Sequence, residues 1–200
     1  MIYLIIRYGL WPLLWLIFHP KVCGAKNLFV KGKAIIVCNH RSLLDPVLLA
    51  ITTLRPIHFM AKAELFESKL GNLFFRSLYA FPVHRKTADL TSLKKALKVL
   101  EQNKIFGIFP EGKRAVTGEL DEFEKGASLL AVKSKSPIIP VYIQPESYRS
   151  LFPKMRVGEP IDVESLAQTT PKSQLLDAVH MQMTEAVKKL KAEAEAESCR

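Results

Sequence analysis

The chain has 200 residues, 48% of them hydrophobic, which allows one domain with a substantial core and little else. Its formal net charge of +10 is compatible with a nucleic-acid partner, but the basic residues are dispersed and no DNA- or RNA-binding signature occurs, so we expect no nucleic acid. The three cysteines, at positions 23, 38 and 199, have no paired spacing, which excludes a disulfide framework and indicates a reducing compartment.

The amino-terminal segment is almost entirely apolar and contains two tryptophans. Its longest uncharged stretch, Tyr8 to Phe18, is well short of the ~20 residues that a spanning helix needs, and Pro12 would kink it. No basic residue precedes the run and no Ala-x-Ala site follows it, so a signal peptide is not indicated. Four lysines follow at once, as expected beside an anionic leaflet. We predict a membrane-associating helix at residues 1–19, monotopic or peripheral on the cytoplasmic face of the cell membrane. A core helix is the alternative.

Five apolar runs alternate with helical patterns along the rest of the chain, at 34–38, 57–61, 81–83, 105–109 and 138–143. Two sets of apolar residues recur at helical spacing and are predicted to face the core: Leu90, Leu93, Leu97 and Leu100, and then Leu176, Val179, Met183, Val187 and Leu190. The alternation predicts an α/β fold, with a mixed, largely parallel central sheet flanked by helices in a single domain at residues 20–200. In such a sheet, active residues lie on the loops that leave the strands.

A histidine and an aspartate follow the predicted strand at 34–38. Asp45 comes five residues after His40, and a continuous helix would turn through about 500° over that spacing and leave the two side chains on different faces. Pro46 disfavours the αR conformation at Asp45 and is favoured at a first helical position, so we place His40 on a strand-to-helix loop and Asp45 near the N-cap. The carboxylate could then fix the imidazole tautomer and leave the other ring nitrogen free to take a proton from a hydroxyl. The alternative is that Asp45 only caps the helix amides.

Three further segments stand in a specific order along the chain. Phe81 to Arg85 ends a short apolar run in an arginine, Phe109 to Arg114 follows another such run, and Pro137 to Val141 opens a strand. Together with Asn39 to Pro46, they resemble the four ordered blocks of the glycerolipid acyltransferase family. Bacterial members of that family make phosphatidic acid from 1-acyl-glycerol-3-phosphate. The resemblance covers about residues 22–160.

The resemblance implies roles for residues in the first three blocks. In this family the histidine of the first block is the general base, so His40 would be the base and Asp45 would orient it. The arginine that closes the second block, and the glutamate and arginine of the third, hold the phosphate and glycerol end of the acceptor. The corresponding residues here are Arg85, Glu111 and Arg114, with Gly112 in the turn between the last two.

The chemistry of these side chains agrees with the implied roles. A phosphomonoester is close to doubly charged and fits the fork of an arginine, which suits Arg85 and Arg114. Glu111 would repel a phosphate, so it would accept a hydrogen bond from a glycerol hydroxyl or pair with an arginine. Gly112 fits a tight turn that brings backbone amides close to an anion. One position departs from the family pattern, because Lys113 stands where threonine is usual.

The sequence gives no support for a cofactor. The five histidines and three cysteines form neither His-x3-His nor Cys-x2-Cys ligand sets, so we predict no metal and no other cofactor. Ser42 could in principle be a nucleophile beside His40. The chain has no Gly-x-Ser-x-Gly elbow, however, which favours direct attack by an acceptor hydroxyl over an acyl-enzyme.

These expectations define a membrane-associated O-acyltransferase. The resemblance implies an acyl donor, either acyl-CoA or acyl-carrier protein, and lysophosphatidic acid as the acceptor. Anionic lipid, a phosphate-bearing substrate and an acidic carrier would each account for the basic charge. Two alternatives are a sibling acyltransferase that uses glycerol-3-phosphate or another lyso-lipid, and a non-catalytic protein that binds anionic lipid. The presence of both His40 and Asp45 argues against the second alternative.

Overall fold

Seven short strands form one sheet in the computed structural model, which describes residues 11–83, 90–115, 120–145 and 152–198. The strands are β1 (Lys21–Cys23), β2 (Ala34–Cys38), β3 (Ile57–Lys62), β4 (Ala80–Val83), β5 (Ile105–Ile108), β6 (Ile138–Ile143) and β7 (Lys154–Val157). Their order across the sheet is β1-β7-β6-β2-β5-β3-β4. The strand that leads to His40 is therefore central, between β6 and β5.

The sheet is mixed and largely parallel, as predicted. Strands β2 to β6 run parallel, whereas β7 is antiparallel to β6 and β1 is parallel to β7. The five parallel strands therefore end at one edge of the sheet, which we call the carboxyl edge, and β1 and β7 begin there. All five predicted strands are confirmed. The sequence prediction missed β1 and β7, because they are short and two basic residues interrupt the apolar pattern of β7.

Helices cover both faces of the sheet. They are α1 (Trp11–Phe18), α2 (Asp45–Thr52), α3 (Lys69–Ser77), α4 (Leu90–Glu101), α5 (Gly126–Ser134), α6 (Val163–Thr169) and α7 (Lys172–Ser198), and two short 3-10 turns lie at Ala25–Leu28 and Ala63–Phe66. The side chains of β2 alternate between two core clusters. Ile35 and Val37 pack under α4, α5 and α7 on what we call the α7 face, and Ile36 packs under α2 on the α2 face. This two-sided burial explains why β2 is apolar at every position.

The predicted helical stripes are confirmed except at their first positions. In α7, Val179, Met183 and Val187 are fully buried, and Leu175 is more buried than the predicted Leu176. In α4, the core begins after the first residue, since Leu90 is 66% exposed. The prediction that Leu90 is a core residue is wrong, because Leu90 is the first residue of the helix and no other described element packs over it.

The predicted membrane-associating segment falls partly on residues 1–10, outside the described residues. Its second half is α1, which packs against α2. Leu16 of α1 is 64% exposed, and Leu13, Trp15 and Ile17 are 43% to 49% exposed. Within the described residues, no helix has the length and apolar character needed to cross a membrane. Membrane association of residues 1–19 stays a prediction.

Candidate active site

The loop between β2 and α2 lies at the middle of the carboxyl edge, and a buried asparagine fixes its start. Asn39 Nδ2 donates to the carbonyl oxygen of Ile143 at 3.0 Å, and the amide of Ile143 donates back to Asn39 Oδ1 at 2.8 Å. Asn39 is fully buried. Because both bonds reach β6, the residue that precedes His40 is held to the end of the neighbouring strand.

His40 and Asp45 are in direct contact. His40 Nδ1 lies 2.8 Å from Asp45 Oδ2, and the Asp45 side chain has no exposed surface. The same oxygen accepts hydrogen bonds from the amides of Arg41 at 2.7 Å and Ser42 at 2.8 Å. Three nitrogen atoms therefore lie within hydrogen-bond distance of one carboxylate oxygen. The predicted fold-back of the carboxylate onto the imidazole is present.

The capping alternative for Asp45 does not describe this structure. The N-cap of α2 is Leu44, which gives no side-chain cap, and Asp45 is the first residue of the helix. The amide of Leu48 bonds to the carbonyl oxygen of Leu44 at 2.8 Å instead of to the carboxylate. The Asp45 side chain therefore serves the loop that carries His40, and the start of the helix is stabilised by its own backbone.

The contact sets the chemistry that His40 can perform. An ionised carboxylate only accepts hydrogen bonds, so Nδ1 must carry the proton that it shares with Asp45. Nε2 is then the unprotonated nitrogen, with a lone pair that can take a proton. The His40 side chain is 12% exposed, so a ligand can reach the imidazole. This is the geometry of a general base whose positive charge a buried carboxylate stabilises.

Two phenylalanines continue the imidazole as a row of rings. The rings of His40 and Phe109 stack with centroids 4.2 Å apart at 22°, and Phe109 lies against Phe59 at 6.0 Å and 10°. These residues sit on or just after the adjacent strands β2, β5 and β3. The row limits rotation of the imidazole. Sequence reasoning missed it, because the stack depends on the order β2-β5-β3 in the sheet, and Phe59 lies within its strand.

The residues after β5 hold the backbone of His40 from two sides. Glu111 Oε1 accepts the amide hydrogen of His40 at 2.8 Å, and the amide of Ala115 donates to the carbonyl oxygen of His40 at 2.8 Å. Glu111 is 4% exposed, and burial raises the pKa of its carboxyl group, while the bond from the His40 amide opposes that rise. Glu111, predicted to bind substrate, therefore contacts the backbone of the predicted base. Its role toward the acceptor stays a prediction.

Gly112 closes the turn after Glu111 in a left-handed conformation, with φ of 65°. Its amide donates to the carbonyl oxygen of Phe109 at 3.2 Å, so the tight turn is present but this amide is already engaged. A Cβ atom at Gly112 would lie 2.6 Å from Glu124 Oε1. The positive φ favours glycine at this position, and any larger residue would also require the Glu124 side chain to move.

The structure describes one of the two predicted phosphate-binding arginines, Arg114, and not the other, Arg85. Arg114 lies next to Ala115, is exposed, and makes no ion pair with another described residue. The adjacent Lys113 pairs with Asp121 at 3.5 Å. Arg85 lies outside the described residues, and β4 ends two residues before it at the carboxyl edge. The structure thus brings Arg114 to the loop that holds His40.

Ser42 and Cys38 are two other potential nucleophiles near His40, and their environments differ. Ser42 Oγ accepts the amide hydrogen of Leu44 at 3.1 Å, and among the described residues no hydrogen bond joins it to His40. Cys38 is fully buried, and burial, followed by the charges of Asp45 and Glu111, raises the pKa of its thiol well above the ordinary value. A buried thiol that stays protonated is a poor nucleophile. The arrangement favours a ligand hydroxyl as the group that His40 deprotonates.

Comparisons with known proteins agree with the fold and the blocks. A family model described as acyltransferase matches residues 19–144. A Bacillus subtilis protein named 1-acyl-sn-glycerol-3-phosphate acyltransferase is 34% identical over 176 residues, which are 85% of this chain and 87% of that protein. A Streptococcus pneumoniae protein of the same name is 32% identical over 139 residues, and the match spans 66% of this chain but only 51% of that protein.

A solved structure shows the same architecture. The crystal structure of the 1-acyl-sn-glycerophosphate acyltransferase PlsC from Thermotoga maritima superposes with a TM-score of 0.68 at 24% identity. The superposition covers 93% of this chain and 81% of that one. At this identity the likeness concerns the fold, and it extends to almost the whole of the chain.

Proposed function

The chain belongs to the acyltransferase family, and from that premise we propose that it moves a fatty acyl group to the free hydroxyl of 1-acyl-glycerol-3-phosphate, giving phosphatidic acid. The observation that carries the proposal is the His40 imidazole, which is held at Nδ1 by buried Asp45 and whose side chain is 12% exposed. The relatives named 1-acyl-sn-glycerol-3-phosphate acyltransferase support the choice of acceptor.

The reaction needs one base and no covalent enzyme intermediate. His40 Nε2 takes the proton of the acceptor hydroxyl as its oxygen attacks the thioester carbonyl of the donor. Asp45 stabilises the imidazolium that results. The tetrahedral adduct then collapses, the carbon–sulfur bond breaks, and the imidazolium returns its proton to the leaving thiolate. The products are the new ester and a free thiol, and His40 is again neutral.

The phosphate of the acceptor is assigned to Arg85 and Arg114. A phosphomonoester close to doubly charged can accept two parallel hydrogen bonds from each guanidinium group. The exposed side chain of Arg114, next to Ala115, whose amide bonds to the His40 backbone, supports this assignment. Glu111 supports the reaction by fixing the His40 backbone, since its Oε1 already accepts the His40 amide hydrogen. Acyl-CoA or acyl-carrier protein is the proposed donor.

The proposed location is the cytoplasmic face of the cell membrane, with residues 1–19 as a monotopic or peripheral anchor. The exposed apolar side chains of α1 and the lysines that follow it support this location. Deleting residues 1–18 should release the protein from anionic vesicles and lower activity on vesicle-borne acceptor more than on acceptor in detergent. If the shortened protein instead unfolds in detergent, the segment belongs to the core.

A panel of substrates tests the proposed function. We would give the purified full-length protein acyl-CoA and acyl-carrier protein as donors, with lysophosphatidic acid, glycerol-3-phosphate and other lyso-lipids as acceptors, and identify products by mass. Phosphatidic acid should be the main product, and a thiol should appear in equal amount. Preferred acylation of another acceptor would make the chain a sibling enzyme, and no product with any pair would contradict the proposal.

A further inference from the structure

Helix α3 has three distinct faces. At 100° per residue, Gly71 and Phe75 fall on one side, and both meet the protein. A Cβ atom at Gly71 would lie 2.4 Å from the carbonyl oxygen of Leu65, and the ring of Phe75 lies 5.5 Å from that of Phe66. Because Gly71 allows this close approach, the rotation of α3 about its own axis is fixed. The other two faces of α3 therefore point away from the protein.

One outward face of α3 is apolar and the other is polar. Leu70 is 82% exposed, Leu73 is 53% exposed and Phe74 is 51% exposed, and the three lie side by side on the helix. The polar face carries Lys69 and Arg76. The helix contains no acidic residue. An exposed apolar stripe flanked by basic residues is the pattern of a helix that lies in a membrane interface.

The position of α3 relates this stripe to the active site. β3 ends at the carboxyl edge, and the 3-10 turn Ala63–Phe66 leads directly from it into α3. Phe66 and Phe75 pack on the core cluster of the α2 face, which is also the side where α1 packs against α2. The apolar stripes of α1 and α3 therefore lie on the same face of the sheet, and both adjoin the edge that carries His40.

We propose that α3 is a second membrane contact, which inserts Leu70, Leu73 and Phe74 into an anionic bilayer beside the active site while Lys69 and Arg76 meet its headgroups. This inference rests on the proposed function, because an acceptor that is itself a membrane lipid must reach His40 from a bilayer. Helices α1 and α3 would then hold the α2 face and the carboxyl edge against the membrane from two points. The basic residues of α3, a helix that itself contains no acidic residue although Glu67 precedes it, match the negative surface of such a bilayer.

A fluorescent label tests insertion directly in the full-length protein. Leu70→Cys is made in a Cys23→Ser/Cys199→Ser background and labelled with nitrobenzoxadiazole, which leaves the buried Cys38 unlabelled. The matched control is Met181→Cys, a residue 59% exposed on α7, which covers the opposite face. Vesicles of equimolar phosphatidylglycerol and phosphatidylcholine should shift the emission of the Leu70 label to the blue and leave the Met181 label unchanged.

A pair of variants measures the contribution of the stripe to binding. Leu70→Ser/Phe74→Ser should lower the partition coefficient onto the same vesicles about tenfold or more, which is the scale for returning one large apolar side chain to water. Met181→Ser removes an apolar side chain that is 59% exposed on α7, which covers the opposite face. That control should change partition by less than about twofold, because Met181 is not expected to enter the bilayer.

The outcomes separate this proposal from the proposed function. A Leu70 label that stays unshifted on vesicles overturns the second contact. A label that is already blue-shifted without lipid also overturns it, since another part of the chain or a second copy then covers the stripe. Acyl transfer is measured separately in detergent. Failure to make phosphatidic acid there, together with insertion of the label on vesicles, would reject the function and leave the membrane contact standing.

Discussion

The two ends of the proposed acceptor site are built in opposite ways. At the base end, five backbone or side-chain hydrogen bonds and one ring stack converge on His40 and Asp45, and Asp45 is fully buried. At the phosphate end, Arg114 is exposed and makes no ion pair within the described part of the chain. The comparison teaches that the proton-transfer machinery is set before substrate arrives, whereas the anion-binding end acquires its partner only with the ligand.

The base end should show the largest effect on turnover. His40→Ala removes the nitrogen proposed to take the proton, so kcat should fall by roughly 10²- to 10⁴-fold while the protein still folds. The matched control is His180→Ala, on α7, whose Nδ1 contacts Ser128 at 3.2 Å. We would compare the two variants by rate of phosphatidic acid formation and by circular dichroism. Near-normal turnover in folded His40→Ala would remove His40 from the mechanism.

The phosphate end should respond in binding instead of turnover. Arg114→Ala should raise the KM for the acceptor by about 10- to 100-fold, because hydrogen bonds to charged groups contribute ~1.5–3 kcal/mol. The KM for the donor should change much less. Lys113→Ala is the control, since it removes a neighbouring cation that already pairs with Asp121. A loss confined to donor affinity would mean that Arg114 faces the donor, and the contrast between the two ends would need revision.

Variants of Glu111 test whether this residue positions His40 at the base end or binds the acceptor at the phosphate end. If it positions His40, Glu111→Ala should lower kcat by about tenfold and reduce stability by ~1–3 kcal/mol, because the buried amide of His40 loses its acceptor. The acceptor KM should stay constant. Glu111→Gln should recover most of the activity, since an amide oxygen can accept the same hydrogen bond. If the acceptor KM rises in both variants while melting temperatures stay unchanged, Glu111 belongs to the acceptor-binding end.

The base end was also the more predictable from sequence. A five-residue apolar strand followed by His40, Asp45 and Pro46 left few ways to arrange the loop, and the predicted contact is there. The bonds that support it were not predictable in the same way. Asn39 to Ile143 and Glu111 to His40 join residues 104 and 71 positions apart, so they depend on strand order. The phosphate end was predicted only through resemblance, and Arg85 lies outside the described residues.

Length and local composition explain the other differences. β1 has only three residues and forms because it pairs with β7. This pairing is a tertiary contact, which no apolar pattern in the sequence predicts. The exposed apolar stripe on α3 was not predicted from the sequence, because only the packing shows that Gly71 and Phe75, and not the leucines, face the protein. Regular patterns predict elements well, whereas the direction in which an element faces is decided by its neighbours.

The tautomer of His40 tests the central claim most directly. With all histidines ¹⁵N-labelled, and the His40 signals assigned by their loss in His40→Gln, the nitrogen shifts at neutral pH report which ring nitrogen carries the proton. The account predicts a protonated Nδ1 and an unprotonated Nε2 in the wild-type protein, and loss of that preference in Asp45→Asn. A wild-type spectrum with the proton on Nε2, or one that Asp45→Asn does not change, would contradict it.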